Sequence, residues 1–169
     1  MDENGRVFEL EYAPDTSTFP TIPMKKLLHS ALALALTATI AHAAAGWTDN
    51  YEKALTQAKT EKKLVLLDFT GSDWCGWCIK IDKEVFSKQD FKTFAKDNLV
   101  PVTLDFPHGK KLPKHTADQN GKLQKQFGVQ GFPTLVLLNA EGKELHRWGG
   151  YSDKFFEELK EKVSAAKVK

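Results

Sequence analysis

Residues 64–78 read Leu-Val-Leu-Leu-Asp-Phe-Thr-Gly-Ser-Asp-Trp-Cys-Gly-Trp-Cys, an apolar run, a short polar turn, and then both cysteines of the chain, three residues apart. Leu64 to Phe69 is continuous and of strand length, the pattern of a strand covered on both faces. Thr70 to Asp73 supplies the turn. Beyond it Cys78, Ile81, Val85 and Phe86 mark one face of a helix, so the cysteines lie where a strand hands over to a helix N-terminus.

Working outward, Asp49 followed by Glu52 reads as a helix N-cap with its capping-box partner, and Tyr51, Ala54, Leu55 and Ala58 recur at helical spacing until Lys62-Lys63. After the cysteines, Asp90 is expected to cap a helix carrying Phe91, Phe94 and Ala95. Residues 99–106 then read as a second strand and 107–119 as a polar loop. Leu123, Gln126 and Phe127 suggest a short helix closed by Gly128. Residues 132–138 read as a third strand and 144–148 as a fourth, paired as a hairpin across Asn139 to Gly142. Ser152 or Asp153 caps a last helix with Phe155, Phe156, Leu159, Val163 and Ala166 on its inner face. The order suits an α/β domain with a four-stranded mixed sheet and helices on both faces.

At 169 residues the chain is long enough for one packed domain and too short for two ordinary ones. Residues 24–43 open with Met24-Lys25-Lys26, continue as a mostly Leu and Ala run, and end on Ala41-His42-Ala43, the pattern of a cleaved secretory signal peptide. That run is short of the roughly 20 apolar residues of a bilayer span. Residues 1–23 are expected to be either a mis-assigned extension upstream of Met24 or a disordered leader, and 44–169 the folded domain. Without residues 1–43, which hold three basic and five acidic side chains, the formal charge is +4. Its densest basic stretch, Lys110-Lys111 with Lys114, has no interleaved aromatics, and a solvated loop is expected there, with no nucleic acid as partner.

Export implies an oxidising compartment, where a Cys75–Cys78 bridge would close a loop of only four residues and remove little unfolded-state entropy. Chemistry explains the pair better. On one helical turn, residues i and i+3 share a side, and the first thiol, at the helix start, meets unpaired N–H groups and the positive end of the dipole, which stabilise a thiolate. Cys75 is therefore the nucleophile and Cys78 the resolving thiol. A structural bridge, two ordinary buried cysteines, or half of a zinc site completed by His108 and His115 are the alternatives, and the histidine spacing matches no common zinc pattern. Trp74 and Trp77 either form an exposed apolar lip beside the sulfur or pack on the core, as Trp47 and Trp148 are expected to do.

Val65 to Cys78, followed by Gly128-Val129-Gln130-Gly131-Phe132-Pro133-Thr134, resembles the thioredoxin-like superfamily, and Lys83 to Ser87 is similar to its exported members, among them the C-terminal domain of the periplasmic thiol:disulfide interchange reductase. The resemblance implies a thioredoxin fold, with Pro133 cis and facing the cysteines and Phe132 offering backbone groups to substrate. It also implies that Asp68 is the proton acceptor behind Cys78, although one extra residue separates that aspartate from the tryptophan. Asp68 is either this buried base, with a raised pKa, or a side chain turned to solvent at the strand end. Trp77 stands where thioredoxins proper carry proline, so their reducing character does not carry over. The expected protein is a periplasmic or secreted thiol:disulfide oxidoreductase without bound cofactor or metal and with no membrane span after signal cleavage. Its partners would be protein disulfides or thiols and a membrane or periplasmic dithiol protein. The alternative is a non-catalytic binding module using the surface of Trp74, Trp77 and Phe132.

Overall fold

The computed structural model describes residues 46–167. The expectations for a leader at 1–23 and a signal peptide at 24–43 lie outside the described residues. Within them the chain runs α1 (Tyr51–Glu61), β1 (Leu64–Thr70), α2 (Gly76–Ile81), a π-helical turn (Asp82–Phe86), α3 (Gln89–Asn98), β2 (Leu99–Asp105), α4 (Lys114–Gln126), β3 (Thr134–Leu138), β4 (Glu144–Gly149) and α5 (Phe155–Lys167). The sheet order is β2-β1-β3-β4. β1 runs parallel to β2 and antiparallel to β3, and β3 pairs antiparallel with β4.

Strand alternation sends successive side chains of β1 to opposite faces. Val65, Leu67 and Phe69 pack with Tyr51, Ala54 and Ala58 of α1 and Leu123 of α4. Leu66 joins the other cluster, with Ile81, Phe86 and Phe91 and with Phe155, Leu159 and Val163 of α5. Asp68 shares the parity of Leu66, so its side chain leaves the strand on the side of α2. The shared parity with Leu66 follows from the two-residue period, and packing sets which face α2 covers.

Three helix starts differ from the sequence reading. α1 is capped by Asn50, whose side chain accepts the Lys53 N–H at 2.9 Å, and not by Asp49. Three residues beyond Asn50 stands Lys53, so there is no capping box, and Glu52 is only a first-turn acid. α3 begins at Gln89 after Lys88, with Asp90 inside its first turn and no side-chain cap. α4 begins at Lys114, so the expected 107–119 loop is shortened to the residues before Pro113. Its inward positions Thr116, Asn120 and Leu123 keep helical spacing, but two of the three are polar, which hides the periodicity. Asn120 is buried because its amide donates to the Asp105 carbonyl at 2.9 Å.

α4 ends as expected at Gly128, whose φ of 59° lies in the left-handed region. The Gly128 N–H donates to Lys125 and the Val129 N–H to Gln124, the paired bonds of a Schellman ending. β3 starts at Thr134, two residues later than read, and the Thr134 hydroxyl donates to the Gly131 carbonyl at 2.7 Å.

Candidate active site

Cys75 is the N-cap of α2. Its Sγ accepts the N–H of Cys78 at 3.2 Å, and the two sulfurs are bonded, with Cα atoms 5.2 Å apart. The helical run continues through the π turn to Phe86, so Cys75 sits at the start of three turns of aligned peptide dipoles. Both cysteines are buried, Cys75 at 7% exposure and Cys78 at 2%, so the first residue is the less enclosed of the pair.

Asp68 is buried, which removes the solvent-facing alternative. Its Oδ1 makes no hydrogen bond. It lines a crevice of about 220 Å³ together with Cys78 and Asp82, so the carboxyl and the second cysteine open on the same space. Burial, then the charges of Asp82 and Asp105, push the Asp68 carboxyl up to about 8. A carboxyl so raised holds a proton at neutral pH and gives it up slightly above, the range useful for general acid–base work.

The Phe132–Pro133 peptide bond is cis. Thr134 pairs with Phe69 at the end of β1, which sets Pro133 beside the segment leading to the cysteines. Pro133 is buried and Phe132 half-buried. Trp74 packs edge-on against Phe132, with ring centroids 5.8 Å apart.

Both site tryptophans lie outward, Trp74 at 42% and Trp77 at 59% exposure, so the alternative that they pack on the core falls. They flank the dithiol on different partners. Trp74 stacks on His108 at 4.4 Å and donates its indole N–H to the Phe106 carbonyl at 2.8 Å. Trp77 neighbours Tyr151 at 6.5 Å, and the Lys80 ammonium lies over both rings. Trp148 is buried and Trp47 stacks on Phe91 as core aromatics. His108 lies against Trp74 and His115 is exposed on α4, and among the described residues no group of three or more His, Cys, Asp or Glu is placed to hold a metal ion.

Along the sequence Gly71 reads only as part of a turn. A Cβ there would lie 2.5 Å from the Trp74 ring, so the indole can cover this backbone only if residue 71 has no side chain. Gly71→Ala is expected to displace Trp74 and to cost about 1–3 kcal/mol through overpacking. Urea unfolding and Trp near-UV dichroism would check it, and an unchanged spectrum would refute the contact. Ser72 and Asp73, read likewise as turn residues, and Asp105, read as part of a strand, make contacts that the sequence reading does not contain. Asp105 accepts both the backbone N–H and the hydroxyl of Ser72, at 2.9 and 2.7 Å, a contact between residues 33 apart that local pattern does not display.

A family model described as the thioredoxin-like domain matches residues 51–166. Disulfide bond reductase DsbH of Chlamydia pneumoniae is 42% identical over 113 residues, covering 67% of this chain and 68% of that protein. Thiol:disulfide interchange protein DsbD of Klebsiella pneumoniae is 34% identical over 96 residues, and the match spans only 14% of its length. A solved structure described as DsbH oxidoreductase superposes with a TM-score of 0.64 at 36% identity, over 82% of this chain and 98% of that one.

Proposed function

This chain belongs to the thioredoxin-like family, and we propose that it is an exported thiol:disulfide oxidoreductase that works on protein cystines as a reductase or isomerase. The observation that carries the reading is the sulfur pair at the start of α2, with Cys75 Sγ accepting a helix N–H and Cys78 opening on the crevice that holds Asp68. In the reduced protein the Cys75 thiolate attacks one sulfur of a substrate disulfide. A Cys75–substrate bond forms, the substrate S–S bond breaks, and the other substrate sulfur leaves as a thiolate that takes a proton from solvent. Cys78 then loses its proton to the Asp68 carboxylate and attacks Cys75 Sγ. The Cys75–Cys78 bond forms, the second substrate thiolate departs, and two electrons have moved from the domain to the substrate.

Trp74 and Trp77 offer apolar surface on either side of the sulfur, and Phe132 with Pro133 forms the rim along which an extended substrate lies. Residues 24–43 act as the export signal for the 44–169 domain. Among the described residues no helix is long and apolar enough to cross a membrane. A separate dithiol protein, at the membrane or in the periplasm, returns the domain to its reduced form.

The test is reduction of insulin with dithiothreitol as electron source, where acceleration over dithiothreitol alone is expected. Equilibration with glutathione mixtures then sets the direction, since a potential near −270 mV marks a reductant and one near −120 mV an oxidant, roughly. The exposure of Trp77 favours one second reading, a module that holds partners without chemistry. It would bind partner chains equally well with Cys75 and Cys78 both replaced by alanine.

A further inference from the structure

The loop that joins β2 to α4 is fastened to the residues just before the dithiol by a set of contacts that the exchange chemistry does not use. Asp73 is a surface residue, yet both its carboxylate oxygens are engaged. Oδ1 accepts the His108 N–H at 3.0 Å and Oδ2 accepts the Gly109 N–H at 2.6 Å. Two successive backbone N–H groups converging on one anion form a small cradle, and each is a charge-assisted bond. The approach is close enough that a Cβ on Gly109 would stand 3.0 Å from Oδ2.

On either side of Asp73 the same two segments are joined again, by Ser72 to Asp105 and by the Trp74 indole to the Phe106 carbonyl. The flat stacking of Trp74 on His108, at an interplanar angle of 5°, completes the contact. Held this way, the loop walls a groove of about 370 Å³ whose apolar lining includes Trp74, Phe106, Pro107, Leu112 and Phe132. The groove begins at the residue adjacent to Cys75. An extended chain advances about 3.3 Å per residue, so a substrate side chain one to three positions from the attacked cysteine reaches it.

We propose that Asp73 is a specificity-determining positioning residue, which clasps the 106–110 loop so that the groove beside Cys75 stands ready for an apolar side chain of the cystine-bearing substrate segment. This rests on the reading of the site as a protein disulfide exchanger. A wall ordered before binding need not be ordered by the substrate, and that saving appears in affinity for polypeptide more than in the sulfur chemistry. The Asp73 carboxyl is held below its ordinary range, first by the His108 and Gly109 N–H bonds, so the clasp carries its charge throughout the neutral range.

The experiment compares wild type, Asp73→Ala and Asp73→Asn of the whole chain, with reduction of insulin set against reduction of hydroxyethyl disulfide, which carries no polypeptide. Amide exchange at His108 and Gly109 is followed in parallel. Asp73→Ala is expected to raise KM for insulin about 10-fold, more than it changes kcat or the rate on the small disulfide, and to speed both amides by a similar factor. Asp73→Asn, which keeps one acceptor, should fall between. Gly109→Ala presses on the same contact from the loop side and should also raise KM if Asp73→Ala fails to fold. An unchanged KM for insulin, or equal losses on both disulfides, overturns the clasp while leaving the exchange reading in place. A wild type inactive on insulin overturns both.

Discussion

Cys78→Ser should stop turnover after one attack and leave the substrate bonded to Cys75, whereas Cys75→Ser should prevent the attack itself. The asymmetry follows from position. Cys75 is the less enclosed residue and its Sγ accepts a helix N–H, while Cys78 is the more deeply buried and lies inside the first turn. Insulin reduction by Cys75→Ser is expected to fall at least about 1,000-fold, since an alcohol replaces a thiolate nucleophile. With Cys78→Ser the mixed disulfide should accumulate to about one per protein and run as a heavier band on non-reducing gels. Neither loss is expected to be a folding effect. A bridge closing four residues contributes only about 2 kcal/mol by chain entropy, so both variants should melt close to reduced wild type. Equal trapping by both single variants would show that the assignment of roles is wrong.

Asp68→Asn should remove a pH dependence from stability and from turnover together. Its carboxyl has a native pKa of about 8 against 3.8 for the ordinary side chain. Between those values the native state keeps a proton that the unfolded chain has released. Stability is therefore fully present below about pH 4, falls as pH rises, and reaches its lower plateau above about pH 8, with a limiting slope of about 1.4 kcal/mol per pH unit. Urea unfolding of the oxidised protein at pH 5, 6 and 7 should show that slope in wild type in excess of the variant, in which residue 68 does not titrate. At pH 7 the loss from the acid plateau is expected to be on the order of a few kcal/mol. The resolving step responds in the opposite sense. Wild type should accelerate through pH 8 as Asp68 becomes able to accept the Cys78 proton, and the variant should lack that inflection and run about 10-fold or more slower there. Parallel stability curves for the two proteins would refute a buried titrating carboxyl at this position.

Much of this architecture is legible along the chain because β1, β2 and β3 are nearly continuous apolar runs of strand length and several of the breaks carry Gly or Pro. β1 and β3 stand out as apolar runs between turn residues, and the apolar face of α5 keeps helical spacing with little competition. The cysteine pair was equally plain, since its spacing and its place after a buried strand are local facts. α4 was not, because Thr116 and Asn120 turn polar atoms inward and meet partners on other elements, so hydrophobic period stops marking the helix. The orientation of Asp68 depended on which face of β1 receives α2, a choice that packing makes and the alternation pattern leaves open. Asp73 illustrates the largest gap. Beside a tryptophan and a cysteine it looks like an ordinary turn residue, and its two partners lie 35 and 36 positions away.

The most direct measurement is the pH dependence of iodoacetamide alkylation of Cys75 in the reduced protein. With the sulfur facing a helix N–H and the start of the dipole, half-maximal reactivity should fall well below the ordinary thiol value of about 8.5. A midpoint at or above that value, or a Cys75 that resists alkylation until the protein unfolds, would contradict the account.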